Sequence, residues 1–445
     1  MQKPKKFNRV WLIPIALLIL SGLGSVYFIP QLRQRVDKNV REVRERLFYF
    51  FKPPDEAVFQ PEEQTKATPI LKLTRVPTST PEPPTPTGPT FTPTITPTPL
   101  PDVVDLPGVE YVDQHNRWNY CGPANLTMAL NFWGWPGNRD DVAKVVKPGT
   151  DDPKKDFIQR GFPDKNVMPY ELVDFVNEET EFRALMRYGG DMDLLKRLIA
   201  AGFPVVVEKG YYEPDYTGQV VWLGHYLFTT GYDENRGGFI VQDAWLKPGK
   251  NLLSKFDIYE EGWRSFNYLF FVVYPPGREA KVLELLGPWA DATWANQHAL
   301  DIANEEIGNT SGNDRFFAWF NKGTSHVQLR QYADAAGAYD QAFAIYAGLD
   351  DEERQRPFHI MWYQTGPYFA YYWSGRYQDV INLANTTLNE TIAEPTLEES
   401  LLWRGRAYYM IGNTQAAVED YRAALEVHTG WLPAVQALQD LGLQP

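Results

Sequence analysis

Cysteine is nearly absent from this sequence. Only Cys121 occurs among 445 residues, so no disulfide can form within the chain. The sequence also lacks Cys-X-X-Cys and His-Glu-X-X-His spacings and a Gly-Lys-Ser/Thr phosphate-binding loop, so no motif supports a zinc or nucleotide site. We therefore expect no metal or cofactor. A solitary cysteine is either a small buried side chain or a reactive thiol, and its neighbours in the sequence must decide.

Positive charge is scarce in most of the chain. The formal net charge is −13, but residues 1–52 hold eleven basic and three acidic residues, so a charge of −21 remains on the rest. Nucleic-acid binding depends on neutralising phosphates, so this acidic body excludes nucleic acid as a partner. The basic N-terminal segment suits an anionic membrane surface instead.

A single uncharged run, Val10–Ile29, predicts a membrane span. Its twenty residues are about the length needed to cross a bilayer, and four basic residues precede it. This arrangement is typical of a signal anchor with a cytoplasmic N-terminus. A cleaved signal peptide is the alternative, because Gly22 and Gly24 loosely resemble a small-residue cleavage site. We expect a single-pass membrane protein with an extracytoplasmic body.

Composition divides the chain into four segments. Residues 1–30 form the basic tail and anchor, and residues 31–101 form a charged helix followed by a Pro/Thr-rich linker. Pro77–Pro101 contains ten Pro and nine Thr, and proline removes backbone donors and fixes φ, so we expect a disordered spacer there. Residues 102–277 are predicted to form the catalytic domain, and residues 278–445 a helical repeat domain.

Helical and strand patterns alternate in residues 102–277. Apolar residues at helical spacing predict helices at Gly122–Trp133, Tyr170–Asn177 and Asp191–Ala201. Strand-like runs follow at Phe203–Glu208, His225–Tyr232 and Phe239–Asp243. Helices followed by strands predict an α+β domain with a mostly antiparallel sheet.

The C-terminal segment repeats aromatic and small residues at fixed offsets. Gly323, Ala335, Tyr339 and Ala342 recur as Gly405, Ala417, Tyr421 and Ala424. A weaker middle unit contains Tyr368, Gly375, Tyr377 and Ala384. The pattern resembles tetratricopeptide repeats, in which small residues let paired helices approach closely. Such an array implies a protein partner.

Cys121 lies at the start of the predicted helix Gly122–Trp133, within Asn119-Tyr120-Cys121-Gly122-Pro123. Backbone N–H groups and the helix dipole at this end stabilise a thiolate and lower its pKa. Pro123 suits the first turn, where its missing N–H costs nothing. A structural cysteine is expected deeper in the apolar stripe of the helix, so this position favours a nucleophile.

His225 and Asp243 are the predicted partners of the thiol. His225 opens one strand, Asp243 ends the next, and a turn built around Gly237-Gly238 joins the two strands. A hairpin folded there brings Asp243 within about three positions of His225. A carboxylate beside an imidazole fixes its tautomer and supports its charged form. A core histidine and a turn-capping aspartate are the alternatives.

These residues together resemble the peptidase-like relatives of the bacteriocin-leader (double-glycine) cysteine peptidases, which have a papain-like fold. The similarity spans about 170 residues and consists of Gln114, Cys121-Gly122-Pro123-Ala124, Gly224-His225, Gly231-Tyr232 and Asp243. It implies that Cys121 is the nucleophile, His225 the general base and acid, Asp243 the orienting group, and Gln114 an oxyanion donor. Gln114 precedes Cys121 by seven residues, whereas six are common in the related enzymes.

The sequence therefore predicts a membrane-anchored, extracytoplasmic cysteine peptidase-like protein that acts on a peptide or protein. Two alternatives remain open. One is a papain-like domain that has lost turnover and serves as a peptide-binding scaffold. The other is an amidase that acts on cell-wall peptides with the same Cys-His pair.

Overall fold

The computed structural model describes residues 30–62, 99–214, 220–349 and 356–445. The predicted span at residues 10–29 and most of the Pro/Thr-rich linker lie outside these ranges, as do residues 215–219. No helix within the described ranges combines the length and the apolar character needed to span a bilayer.

A seven-stranded antiparallel sheet forms the centre of the region preceding residue 277. Its strands run in the order β2-β7-β3-β4-β5-β6, and β1 pairs with the end of β4. The strand bounds are β1 Val103–Asp105, β2 Arg183–Arg187, β3 Val205–Pro214, β4 Val220–Asp233, β5 Gly238–Gln242, β6 Leu252–Lys255 and β7 Phe270–Tyr274. The predicted antiparallel α+β architecture is confirmed.

Both faces of the sheet are covered, because successive side chains of a strand point to opposite faces. Val205 and Val207 of β3 belong to one buried cluster with Leu194 and Leu198, whereas Val206 belongs to another with Leu126 and Leu130. The associated helices are α2 Cys121–Phe132, α3 Arg139–Val146, α4 Phe157–Arg160, α5 Pro169–Glu179, α6 Met192–Ala200, α7 Phe256–Arg264 and α8 Glu279–Leu286.

The C-terminal region is built from helices, as predicted. They are α9 Ala292–Asn309, α10 Gly312–Gln328, α11 Tyr332–Ala347, α12 Ile360–Tyr363, α13 Gly366–Trp373, α14 Tyr377–Glu390, α15 Glu398–Met410, α16 Thr414–Val427 and α17 Leu432–Asp440. Three pairs are joined by three-residue connections and pack against each other, namely α10 with α11, α13 with α14, and α15 with α16.

Each of the three helix pairs has one large and one small residue at equivalent positions, in one of two arrangements. In the first pair a Cβ on Gly323 would lie 2.6 Å from the ring of Tyr339, and in the third a Cβ on Gly405 would lie 2.6 Å from the ring of Tyr421. The middle pair has Tyr368 in place of the glycine and Ala384 in place of the tyrosine, at the same separation in sequence. The large and small side chains are exchanged between the two helices, so the middle unit conserves volume although its pattern is weak.

Residues 30–62 pack against the folded body, a contact that the sequence does not predict. The helix α1, Pro30–Phe51, matches the predicted charged helix. Its Glu45 forms a buried ion pair with Lys165 at 3.3 Å, and Arg44 pairs with Glu394 at 2.7 Å. Farther along, Phe59 contacts the ring of Phe343 edge-on at 4.9 Å. This segment therefore connects the α+β region to the helical region.

Candidate active site

Cys121 is the first residue of α2 and is half-buried. The loop that leads to it bends at Asn116 and Asn119, which have φ angles of 62° and 51°. Asparagine tolerates this left-handed conformation better than most side chains. The side chain of Asn119 donates to the carbonyl oxygen of Lys165 at 2.7 Å, so the turn before the thiol is held in place.

Asn125 links the thiol turn to the strand that carries the imidazole. Its side-chain nitrogen lies 2.9 Å from the carbonyl oxygens of both Cys121 and Tyr226, and the residue is fully buried. One amide thereby fixes the start of α2 relative to the residue next to His225. We assigned no role to Asn125 from the sequence. An asparagine one turn after the cysteine, within the mostly apolar first half of the helix, is the signal that could have found it.

The predicted hairpin brings His225 and Asp243 together. Strands β4 and β5 pair with Phe228 opposite Gln242, so Asp243 follows directly at the His225 end. Nε2 of His225 lies 3.1 Å from Oδ1 of Asp243, and that oxygen also accepts from the backbone N–H groups of Trp245 and Leu246 at 2.8 and 3.1 Å. Nδ1 of the ring is left for the thiol.

The electrostatics of this set favour a thiolate and an imidazolium. Burial raises the pKa of Cys121, but its hydrogen bond to His225 and the charge of the ring outweigh burial and lower it. Burial lowers the pKa of His225, but Asp243 and the thiol outweigh burial and raise it to about 10. Burial raises the pKa of Asp243, yet His225 and the two backbone N–H groups lower it to about 2. The three groups thus support one another's charged forms.

Gln114 lines the same cavity as Cys121 and His225. Its backbone N–H donates to the carbonyl oxygen of Ala244 at 2.8 Å, which ties it to the residue after Asp243. The side chain is buried, and its oxygen has no hydrogen-bond partner among the described residues. The extra residue between Gln114 and Cys121 therefore does not remove Gln114 from the site.

A cavity of about 480 Å³ opens over Cys121 and His225. Three segments of the chain line it. The α+β region contributes most of the wall, α1 contributes Glu45 and Tyr49, and the helical region contributes His359 and Trp362. The helical region therefore forms part of the candidate site. The sequence did not indicate this contribution.

Gly224, which precedes His225, lies where the two regions meet. A Cβ at this position would lie 2.7 Å from the ring of Phe266 and 2.9 Å from that of Tyr363 in α12. No side chain fits there without displacing a ring. The glycine of the Gly-His pair therefore lets α12 approach the strand directly beside the imidazole.

Glu208 is a second residue that the sequence did not indicate. It lies on β3 opposite Tyr226, is almost fully buried, and has a side-chain oxygen without a partner among the described residues. Burial, followed by the nearby charge of Cys121, raises the pKa of Glu208 well above its usual range. A neutral carboxyl here leaves the thiolate without a competing negative charge.

The remaining histidines lie outside the hydrogen-bonded set of Cys121, His225 and Asp243. His115 hydrogen-bonds through Nε2 to the carbonyl oxygen of Trp245 at 2.8 Å and is not among the residues that line the cavity. His359 and His428 are buried between the two regions, the first of them in the cavity wall.

Comparison with known families agrees with this geometry. Residues 107–270 match the model of the Peptidase C39-like family. The matched range contains Gln114, Cys121, His225 and Asp243, and it confirms a cysteine peptidase-like domain. The catalytic roles of the individual residues stay predictions.

Solved structures and curated proteins add little to that match. The chain is similar to a C39-like peptidase from Bacillus anthracis, with 17% identity, 39% of this chain and 98% of that chain covered, and a TM-score of 0.29. No curated protein is significantly similar to the chain. The C39-like domain is thus joined to a helical region that the family model does not cover.

Proposed function

We propose that the C39-like domain hydrolyses peptide bonds with Cys121 as nucleophile. The observation that carries this proposal is the hydrogen-bonded set of Cys121, His225 and Asp243 at one end of a cavity. In a chain with a single cysteine, a thiol that only packed would need neither the helix start nor a carboxylate-supported imidazole.

The reaction follows the papain-like course. The Cys121 thiolate attacks the scissile carbonyl carbon, and the carbonyl oxygen becomes an oxyanion. The Cys121 backbone N–H, which has no intrahelical acceptor at the helix start, and the Gln114 amide donate to that oxygen. The His225 imidazolium gives its proton to the leaving amine, and the C–N bond breaks. His225 then takes a proton from water, and the resulting hydroxide attacks the thioester carbon. The C–S bond breaks, which releases the acid and restores the thiolate beside the imidazolium.

Asp243 holds the ring during both halves of the reaction. Its Oδ1 accepts from His225 Nε2, so Nδ1 faces the thiol in each protonation state. Asn125 keeps the strand and the helix start at a fixed separation. We regard both as positioning residues.

We further propose that the helical region is a tetratricopeptide-type array that binds a protein partner. The pairing of α10 with α11 and α15 with α16, and the Gly–Tyr contact repeated in both pairs, support this proposal. His359 and Trp362 line the cavity, so a partner bound to the array would also lie near the substrate.

We also retain the membrane anchor at residues 10–29, an extracytoplasmic body, and the domain boundaries at residues 30, 101 and 277 as proposals. The uncharged run, the basic flank and the Pro/Thr-rich spacer of the sequence support them. Topology can be tested by protease protection in intact cells, with α1 as the first segment expected outside the membrane.

The function is tested with full-length protein in detergent. Wild type and Cys121→Ala are incubated with unstructured polypeptides and, separately, with cell-wall peptides. Cleavage of polypeptides by the wild type alone supports the peptidase, whereas cleavage confined to cell-wall peptides indicates the amidase. If the wild type and Cys121→Ala both bind these substrates and neither protein cleaves them, turnover is contradicted and the peptide-binding scaffold remains.

A further inference from the structure

Three buried side chains meet where the C39-like domain contacts the helical region. Asp164 lies in the connection between α4 and α5, Glu398 is the first residue of α15, and His428 follows the last residue of α16. One possible ligand atom from each lies within 4.8 Å of the others. We name these residues the interface cluster.

The atoms of the interface cluster are too far apart for hydrogen bonds. His428 Nδ1 is 3.7 Å from Asp164 Oδ2 and 3.6 Å from Glu398 Oε1. Within the described ranges, neither Asp164 Oδ2 nor His428 Nδ1 has a hydrogen-bond partner, although the residues are only 0% and 6% exposed. Leaving buried polar atoms unsatisfied destabilises a fold, so these two atoms point to a ligand that binds both.

Acidic side chains outnumber basic ones around the interface cluster. Asp164, Glu398 and Glu399 are all buried there. Lys147 is also buried, but its ammonium lies 3.6 Å from Oδ1 of Asp164 and in a hydrogen bond to the backbone carbonyl oxygen of that residue. The lysine therefore contacts Oδ1 and leaves Oδ2 facing His428, with more carboxyl groups than one ammonium can pair.

We propose that the interface cluster binds one divalent transition-metal ion of the zinc class. Metal–ligand bonds of about 2.0–2.2 Å in a tetrahedron separate neighbouring ligand atoms by about 3.4 Å, close to the two distances at His428. An imidazole nitrogen combined with two carboxylates suits zinc or manganese, whereas calcium prefers oxygen ligands throughout. A fourth position is left for water or a second carboxylate oxygen.

Such an ion would join the two regions and brace the active-site wall. Asp164 comes from the C39-like domain, and Glu398 and His428 come from the helical region. The backbone N–H of Thr429 donates to the carbonyl oxygen of Gly149 at 2.9 Å, so the two regions are already in contact there. Lys165, directly after Asp164, lines the cavity and accepts from Asn119 before the catalytic thiol. The ion is therefore structural and not part of the hydrolysis.

The test uses the full-length chain with a histidine-free tag and Cys121→Ala, so that the thiol cannot hold the ion. Chelator-treated protein is titrated with Zn²⁺, Mn²⁺ and Ca²⁺ by calorimetry, and its melting temperature is followed. We expect about one equivalent of bound Zn²⁺, weaker Mn²⁺ and Ca²⁺ binding, and a higher melting temperature. Neither readout depends on peptide hydrolysis, so this proposal and the proposed function fail separately.

Variants then assign the ligands. His428→Gln and Glu398→Gln keep the approximate volume and should lower Zn²⁺ affinity by at least about tenfold. His326→Gln, in the same helical region but bonded to Gln331, is the matched control and should bind as the parent does. The proposal is overturned if none of the three ions binds or raises the melting temperature of the parent protein. Binding that persists unchanged in both cluster variants would equally overturn it.

Discussion

The two walls of the cavity each contribute a buried histidine, and the two rings have opposite charge preferences. His225, from the sheet, hydrogen-bonds to the carboxylate of Asp243, which overcomes burial and raises its pKa to about 10. His359, from the helical region, hydrogen-bonds through Nδ1 to the carbonyl oxygen of Trp222 at 3.0 Å. Burial lowers its pKa to about 3.

This difference shows that the partner, and not the cavity, decides what a histidine does. A carbonyl oxygen fixes one tautomer of a neutral ring, whereas a carboxylate also stabilises the charged form. In the proposed function, the sheet wall carries the chemistry and the helical wall shapes the space above it.

The largest effect on activity is expected from replacing His225 with alanine, and His359→Ala is the comparison. His225→Ala removes the group that forms the thiolate and protonates the leaving amine, so kcat/KM should fall by at least about 10³-fold. His359→Ala should retain kcat within about tenfold, because a neutral packing ring leaves the cavity but the chemistry stays intact. Steady-state kinetics on a peptide substrate distinguish the two. Equal losses of kcat/KM in the two variants would contradict the different roles of the two cavity walls.

Gln114→Ala should have the next largest effect. Loss of one oxyanion donor lowers kcat by about 10²–10³-fold with little change in KM. The alkylation rate of Cys121 by iodoacetamide should stay at the wild-type value, because alkylation forms no oxyanion. A parallel fall in alkylation and in kcat would mean that Gln114 holds the thiol and does not bind the oxyanion.

The smallest effect concerns the packing of the helical wall. Gly323→Ala places a Cβ 2.6 Å from the Tyr339 ring, which is buried and hydrogen-bonded to Thr324 at 3.1 Å. We expect the free energy of unfolding to fall by about 1–3 kcal/mol. Gly337→Ala is the matched control, since Gly337 is helical with open space around its Cβ position.

The control should gain about 0.5–1 kcal/mol, because alanine loses less conformational freedom than glycine in a helix. Urea unfolding followed by far-ultraviolet circular dichroism measures both variants. If Gly323→Ala proves as stable as Gly337→Ala, the close Gly–Tyr contact does not limit the helix pair.

The same division explains what could be predicted from the sequence. Cys121 begins a helix and Asp243 follows a strand, as local patterns indicate, and one hairpin predicted that His225 meets Asp243. The strand that carries His225 begins five residues earlier than predicted, at Val220, so the histidine lies within β4 and does not open it. The helix pairs were visible because Gly323 and Tyr339 recur as Gly405 and Tyr421. The exchange of large and small residues at Tyr368 and Ala384 disguised the middle pair.

Contacts between distant segments could not be predicted. Glu45 reaches Lys165, and Asp164 reaches Glu398, which is 234 residues away in the sequence. No spacing motif connects such residues, so the absence of a zinc motif does not bear on the interface cluster. The short strands β1, β2, β6 and β7 were also missed. In β7, Phe270–Tyr274, every residue is buried, so the apolar run has no alternation that marks it as a strand.

The pH dependence of Cys121 alkylation tests the central claim most directly. A lowered thiol pKa and an imidazole pKa of about 10 make the charged pair dominant between the two values, so the wild type should react with iodoacetamide well below pH ~8.5, the value of a free cysteine. His225→Ala removes the hydrogen bond and the charge that lower the thiol pKa and leaves burial opposed only by backbone hydrogen bonds, so its reactivity should shift to higher pH. Identical pH profiles for the two proteins would contradict the account.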